Sequence, residues 1–118
     1  MSKHLQRDLD NLQRDILAMA SSVEEALHKA IRSLENRQVG LARQVIAGDS
    51  LIDEEENAVE EECLKLLALH QPVAGDLRRI TAALKINAEL ERMADLAEDI
   101  AERLNAEEDR REEDRWSA

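Results

Sequence analysis

The sequence predicts an all-α protein, folded as an antiparallel three-helix bundle that pairs with a second copy of itself. Its 118 residues are 43% hydrophobic, with three Gly and one Pro, a composition that favours helix at nearly every position. Apolar residues recur every three or four positions along three long segments, the period of an amphipathic helix. The breaks between these segments are short enough to force neighbouring helices to run antiparallel.

The first predicted helix covers about residues 4–36. Its apolar stripe alternates spacings of four and three, as a helix packed on one side requires. The stripe consists of Leu5, Leu9, Leu12, Ile16, Met19, Val23, Ala26, Ala30 and Leu34.

The second and third predicted helices cover about 39–70 and 72–106. Pro72 ends the former and suits the first turn of the latter, where Asp76 meets the positive end of the helix dipole. The second stripe is Leu41, Val45, Ile52, Val59, Cys63, Leu66 and His70, and the third is Ala83, Ile86, Leu90, Met93, Ala97, Ile100 and Leu104. Residues 4–106 thus form the predicted domain, and 107–118 a charged tail, either a frayed helical extension or a linker.

Composition excludes several classes of function. A net charge of −11 repels phosphate backbones, and with no Phe or Tyr there is little on which bases could stack, so nucleic-acid binding is not expected. No apolar run approaches the length of a membrane span, and a single cysteine agrees with a reducing, cytoplasmic compartment. The chain contains no Gly-rich phosphate loop, GxSxG or HExxH motif, so we expect no enzyme activity.

An unusual run of acids occupies the second helix. No basic residue lies between Arg43 and Lys65, although exposed helices ordinarily interleave Lys or Arg with acids. The acids in this interval are Asp49, Asp53, Glu54, Glu55, Glu56, Glu60, Glu61 and Glu62. Some of them follow one another at helical spacing beside the apolar stripe, which costs about 0.2–0.5 kcal/mol for each like-charged pair.

The third helix repeats this arrangement on a second face. That face begins apolar and then turns acidic, in the order Leu77, Ile80, Leu84, Glu91, Asp95, Glu98 and Glu102. Counted from the turn near residue 71, Asp53 comes level with Glu91, and Asp49 with Asp95, roughly 30 Å from the turn. We therefore expect two acid pairs to face each other.

Converging carboxylates without basic partners stay protonated, remain solvated or bind cations. Oxygen ligands favour hard metals such as Mg, Mn, Ca or Fe, and several carboxylates can bridge more than one ion. A merely solvated acidic face stays open as the alternative. Glu24 lies at the same height on the first helix, as a further ligand or as an exposed acid.

Three other residues have mainly structural interpretations. One ExxH unit, Glu25 to His28, argues against a di-iron oxidase, which needs two such units. His70 suits the C-terminal end of a helix, where a cation meets the dipole favourably. Cys63 falls on the apolar stripe and is expected to be a small buried side chain without a nucleophilic role.

The segment CLKLLALHQPVAGDLRRITAALKINAELERMADLAEDIAER resembles the PhoU family of phosphate-uptake regulators. The segments AMASSVEEALHKAIRSL and LARQVIAGDSLIDEEENAVEEE extend the resemblance over nearly all of residues 4–106. It implies a three-helix bundle with multinuclear metal clusters of Fe, Mn or Mg on E(D)xxxD motifs. The positions that match these motifs and their nearby acids are Asp49, Asp53, Glu56, Glu91, Asp95 and Asp99.

The resemblance also implies a role. Proteins of this family are cytoplasmic negative regulators that link a phosphate transporter ATPase (PstB-like) at the inner membrane to a sensor histidine kinase (PhoR-like). The family usually has two such repeats and this chain has one, so we expect a homodimer that buries Leu77, Ile80 and Leu84. The alternative is a non-catalytic structural or interaction domain, such as a regulatory piece of a larger phosphate transporter.

Overall fold

A computed structural model describes residues 3–117 as three helices in a bundle. They are α1 (Lys3–Asn36), α2 (Val39–His70) and α3 (Ala74–Ser117), and no strand occurs in this part of the chain. The molecule is elongated, with dimensions of 70 × 21 × 17 Å. These observations confirm the predicted three-helix bundle, and each helix packs against the other two.

Two short connections make the helices antiparallel. Arg37 and Gln71 both adopt left-handed backbone conformations, with φ of 54° and 44°. Such a residue ends a helix because its amide turns back onto the last carbonyls. The N–H of Gln71 accordingly donates to the Leu67 carbonyl at 3.2 Å, and the N–H of Gln38 donates to the Ser33 carbonyl at 2.9 Å.

The third helix differs from the prediction at both ends. It begins at Ala74, whose φ is 49°, so Pro72 lies in the connection before it. It continues to Ser117, because the charged residues after 106 are helix formers spaced to allow Glu–Arg pairs along the helix surface. This helical arm of residues 107–117 is almost wholly exposed, and Ala118 lies outside the described residues. The domain boundary at 106 stays a prediction.

The core changes character along the bundle. Near the α2–α3 connection it is built from large side chains, including Leu9, Leu66 and Ile80. At the opposite end it is rich in alanine, with Ala30, Ala42 and Ala97 fully buried. Small side chains allow the helices to approach closely at this end.

The predicted stripe of α3 is partly wrong. Ile86 and Met93 are 46% and 41% exposed, and the positions one residue later, Asn87 and Ala94, are buried instead. α3 carries apolar residues on more than one side. The side lined by alanine packs inward, and the side with larger apolar residues remains exposed. In α1, Leu34 is likewise exposed and Ser33 is buried, with its hydroxyl donating to the Ala30 carbonyl at 2.6 Å.

The face predicted for dimerisation is wrong in part. Ile80 has no exposed surface and belongs to the core, and Leu84 packs against that core, whereas Leu77 is 39% exposed. No helix in residues 3–117 combines the length and apolar character needed to cross a membrane.

Candidate functional site

An acidic groove runs between α2 and α3. Helical spacing places successive acids of α2 one turn apart on the side that faces α3. A second line of acids at the same spacing lies on the facing side of α3. We define the acidic groove by six residues: Asp49, Asp53, Glu56, Glu91, Asp95 and Glu98.

One contact across the groove joins Glu56 to Glu91. Burial raises the pKa of Glu56 to about 7, and the hydrogen bond that its protonated carboxyl makes with Glu91 adds to this. Repulsion from Glu91, Asp53 and Glu60 acts in the same direction. Glu56 is therefore about half protonated at neutral pH, because another carboxylate shares its site.

A second contact joins Glu98 to Asp49. The hydrogen bond to Asp49 raises the pKa of Glu98 to about 7, followed by burial and by repulsion from Asp49, Glu102 and Asp53. The two helices are thus bridged twice by a carboxyl group bound to a carboxylate. Each bridge needs one shared proton, which offsets like-charge repulsion across the interface.

Asp53 and Asp95 lie between these two bridges. Both side chains are exposed. Slight desolvation raises the pKa of Asp53, and repulsion from Asp49, Asp95 and Glu91 raises it further. Slight desolvation also raises the pKa of Asp95, followed by repulsion from Glu91, Asp49 and Asp99. The six groove acids therefore form one electrostatic unit, at whose edge Asp99 lies.

The acids meet in the predicted register. Asp53 and Glu91 repel each other, as do Asp49 and Asp95, so the two predicted pairs face each other across the groove. The longer glutamate side chains reach further along the groove, where Glu98 bonds to Asp49 and Glu56 to Glu91. Glu98 was on the predicted acidic line but not among the predicted ligands, and its place on that line was the signal for it.

No basic side chain neutralises the groove. The ion pairs formed within residues 3–117 lie elsewhere: Lys29–Glu25, Arg37–Glu107, His70–Asp8, Arg79–Asp10 and Arg92–Glu89. The negative charge of the groove is therefore relieved only by bound protons, by water or by cations from solution.

The groove offers oxygen ligands alone, which suits a hard metal ion. Within residues 3–117, no three acidic, histidine or cysteine side chains already converge on one point as metal ligands. The carboxylates are instead engaged with each other in pairs. Metal binding at this groove would therefore need side-chain rotation, with release of the protons shared by Glu56 and Glu98.

Asn87 lies under the groove and was not predicted. It is 3% exposed, and its side-chain amide donates to the backbone carbonyl of Glu56 at 3.0 Å. Its Oδ1 is buried without a hydrogen-bond partner. Asn87 thus ties α3 to the α2 backbone at the level of the Glu56–Glu91 contact. Asn87 lies one residue from the predicted stripe, so the apolar pattern did not signal it.

Glu24 does not contribute to the groove. It is exposed on α1, beside Ser21, Glu25 and His28, and no groove acid owes its pKa shift to it. Glu25 forms an ion pair with Lys29 at 3.2 Å on the same helix. The single ExxH unit therefore lies on the surface of α1.

His70 and Cys63 have structural positions. His70 Nε2 lies 3.0 Å from Asp8 Oδ2, joining the end of α2 to the start of α1. Cys63 is fully buried, and burial raises the pKa of its thiol to about 11, helped by Glu62 and Glu60. A thiol in this state is a poor nucleophile, because only the thiolate reacts.

Comparison with known proteins identifies the family. The PhoU domain model matches residues 16–104. The chain is 46% identical over 97 residues to the phosphate-specific transport system accessory protein PhoU homolog of Aquifex aeolicus, covering 82% of this chain and 44% of that protein.

Two further relatives carry the same description, phosphate-specific transport system accessory protein PhoU. The protein of Edwardsiella tarda is 38% identical, with 79% of this chain and 38% of that protein covered. The protein of Escherichia coli K12 is 35% identical, with 85% and 43% covered. The chain thus spans about two fifths of the length of these relatives. From its matched domain and these identities, the chain belongs to the PhoU family.

Proposed function

We propose that this chain is a metal-binding, non-catalytic adaptor that negatively regulates phosphate uptake and phosphate-starvation signalling. Its family membership and its relatives' description as accessory proteins of phosphate transport support the phosphate role. The observation that carries the metal-binding part is the acidic groove, where two carboxyl–carboxylate contacts bridge α2 and α3 without a basic partner.

The groove residues have distinct roles in this proposal. Asp49 and Asp53 from α2, with Glu91 and Asp95 from α3, are the ligands of a hard cation such as Fe, Mn or Mg. Glu56 borders the site on α2, and Asp99 contributes at its edge. The bound cation supplies the positive charge that the groove lacks, and the groove acids can bridge more than one ion.

Proton release accompanies binding. Glu56 and Glu98 are each about half protonated at pH 7, because their pKa values are raised to about 7. A cation placed between the helices favours their ionised forms, so the protons that they hold leave as binding occurs. Metal affinity therefore increases with pH around neutrality.

The adaptor acts on a phosphate transporter ATPase and a sensor histidine kinase. We propose that it works in the cytoplasm as a homodimer, peripheral to the inner membrane through its contact with the transporter. The groove runs along one side of an elongated bundle, 70 Å in its longest dimension, which leaves other surfaces for these proteins.

One observation favours a second function. Within residues 3–117, no three acidic, histidine or cysteine side chains are already arranged to bind a metal ion. In that alternative the bundle is a structural or interaction domain, such as a regulatory piece of a larger phosphate transporter. Its acids then remain solvated and partly protonated. Metal analysis separates the two functions.

The deciding experiment measures bound Mn, Fe and Mg in protein purified without chelator. We expect metal in the wild type and at least a tenfold loss in the double variant Asp53→Ala, Asp95→Ala. The matched control is Asp109→Ala, Asp114→Ala on the exposed arm, which removes the same charge from the same residue type. Equal metal content in all three proteins would contradict the proposal.

Thermal melts add an independent readout of the same site. A ligand at 100 times its Kd stabilises the folded state by about 2.7 kcal/mol. Millimolar Mn²⁺ should therefore raise the Tm of the wild type and of the arm control, but not that of the groove variant. An unchanged wild-type midpoint favours the solvated groove.

A pull-down tests the partners. The full chain should retain the transporter ATPase and the sensor kinase when each is offered as a purified protein. If neither is retained, the adaptor role is wrong whatever the metal analysis shows.

A further inference from the structure

The end of the bundle at the α2–α3 connection differs in charge and polarity from the rest of the molecule. Three apolar side chains are exposed there, at the end of α2, in the connection and at the start of α3. Leu69 is 64% exposed, Val73 75% and Leu77 39%. Exposed bases lie within two turns of the end of each helix beside them. We define the basic tip by these three side chains together with Arg7 of α1, Lys65 of α2 and Arg78 of α3.

The acids at this end of the bundle are already engaged within the protein. Asp8 Oδ2 lies 3.0 Å from His70 Nε2, and Asp10 Oδ1 lies 3.9 Å from Arg79 Nη2. Asp76 lies in the first turn of α3, where a carboxylate meets the positive end of the helix dipole. Little negative charge is therefore left at this end to neutralise the bases of the tip.

The bases of the tip have no acidic partners. Within residues 3–117, Arg7, Lys65 and Arg78 form no ion pair, and all three are exposed. The tip is thus the reverse of the acidic groove, since it has bases without acids. A surface complementary to it must be negatively charged and must also accept apolar side chains. An anionic lipid bilayer has both properties, because acyl chains lie directly beneath its charged headgroups.

The shape of the tip favours a lipid surface over a protein partner. The bundle has a backbone cross-section of 21 × 17 Å, which is roughly 360 Å² at its end. End-on contact with a protein would therefore bury on the order of 700 Å² in total, below the roughly 1,000 Å² of a specific interface. A bilayer has no such requirement, because its headgroups move aside and close around a narrow tip.

The net charge of −11 does not prevent this contact, because the unpaired acids lie far from the tip. Counted from the tip, the first acid of α2 is Glu62, about 12 Å from the end of that helix. After Asp76, the first acid of α3 is Glu89, about 22 Å from the start of that helix. Both distances exceed the Debye length of about 8 Å at physiological salt, so a surface at the tip is screened from these charges.

We propose that the basic tip binds the surface of an anionic lipid bilayer, with its apolar side chains among the headgroups and its bases against the lipid phosphates. The long axis of the bundle is then directed away from the membrane, and the acidic groove remains in water. This contact goes beyond the proposed function, because neither the metal nor the partner proteins take part in it. The chain reaches the membrane by its own surface as well as through the transporter.

The test measures binding of the full chain to sedimented vesicles in chelator, so that metal ions do not bridge acids to lipid. Anionic vesicles contain phosphatidylcholine with about 30% phosphatidylglycerol, and neutral vesicles contain phosphatidylcholine alone. At low salt the wild type should bind the anionic vesicles at least tenfold more strongly than the neutral ones. Binding should fall at least tenfold at about 1 M salt, where the Debye length is about 3 Å.

Two exposed residues of the tip supply the variants. Arg78→Glu reverses one base and should weaken binding to anionic vesicles at least tenfold. Leu69→Ser removes an apolar side chain and should weaken it at least threefold. The matched controls are Arg103→Glu and Leu51→Ser, which change exposed residues of the same types on the same two helices, far from the tip. Both controls should bind as the wild type does.

Trp116 reports independently which end of the molecule reaches the lipid. It is 87% exposed and lies about 63 Å along α3 from Ala74. A molecule bound by its tip leaves this indole in water, so its emission maximum should not shift when anionic vesicles are added. A blue shift would place the helical arm on the membrane and overturn the proposal.

Circular dichroism confirms that each variant folds, which an exposed position allows. A wild type that stays in solution with anionic vesicles would overturn the inference and leave the tip to an acidic protein. Equal losses in the tip variants and their controls would overturn it as well, because net charge and not the tip would then determine binding. The pull-down of the transporter ATPase and the sensor kinase separates this failure from that of the proposed function, because it contains no lipid.

Discussion

The two sides of α3 differ more than any other pair of surfaces on this protein. Towards α2 the helix contributes acids that share protons with partners across a groove. Towards α1 it presents Ile86, Met93 and Leu96, large apolar side chains that are about half exposed. Between them Ala94, Ala97 and Ala101 pack into the core. The difference shows that one helix, with a core of small residues, can carry two surfaces whose chemistry is opposite.

The largest expected effect distinguishes the buried side of α3 from its exposed apolar side. Ile80→Ala removes a fully buried side chain and should lower the free energy of unfolding by about 2–5 kcal/mol. Ile86→Ala removes a side chain that is 46% exposed and should cost less than about 1 kcal/mol. Both variants are compared with the wild type by urea unfolding at one protein concentration. Equal losses would mean that the two sides are wrongly assigned.

A smaller effect is expected where the core meets the acidic groove. Asn87→Asp removes the donor to the Glu56 carbonyl and places a carboxylate at a position that is 3% exposed. We expect a loss of about 2–3 kcal/mol at pH 8. The loss should shrink at pH 5, where the new group is protonated.

Asn105→Asp on the same helix is its control. Asn105 accepts a hydrogen bond from Arg43 at 3.1 Å near the surface, so a carboxylate is tolerated there. Similar losses at both positions would show that charge on α3, and not burial beside the groove, determines the effect.

The acidic groove should make metal-free protein less stable as pH rises. Glu56 and Glu98 have folded-state pKa values of about 7, raised from 4.5, so between these values the folded state binds more protons than the unfolded state. Stability is fully present below about pH 4.5 and is lost as pH rises through 7. Glu56→Gln with Glu98→Gln should flatten this dependence and raise stability at pH 8 by about 1 kcal/mol, at ~0.2–0.5 kcal/mol for each like-charged contact removed.

The matched control is Glu108→Gln with Glu112→Gln on the helical arm, which makes the same change in charge. Thermal melts in chelator between pH 5 and 8 measure the dependence. A groove variant that keeps the wild-type slope would show that other groups titrate.

The smallest effect is expected for the helical arm, where α3 has neither the acidic groove nor the exposed apolar side. Ending the chain after residue 106 removes the arm and its 4.0 Å ion pair between Arg37 and Glu107. Exposed pairs contribute about 0–1 kcal/mol, so stability should change by less than about 0.5 kcal/mol. A larger loss, measured by urea unfolding, would assign the arm a packing role.

The sequence was sufficient for the helices but not for the rotation of α3. In α1 one apolar side exists, so periodicity placed Leu9, Leu12 and Met19 in the core correctly. In α3 several sides are apolar, and periodicity alone chose the larger Ile86 and Met93 over the small alanines that tight packing selects. The absence of basic residues identified the acidic groove, and counting from the turn correctly placed Asp53 opposite Glu91 and Asp49 opposite Asp95. The hydrogen bond between Glu98 and Asp49 depends on side-chain reach within that register, which counting along the helices does not reveal.

The position of Trp116 has a practical consequence for optical work on this protein. It is the chain's sole aromatic residue, and it is 87% exposed near the end of the helical arm. Its fluorescence is already that of an indole in water when the bundle is intact. Unfolding monitored by tryptophan emission would therefore show little change while the core melts. A tryptophan introduced at a buried position would be needed to make folding visible by fluorescence, and the natural one is better used as a marker of whatever binds the arm.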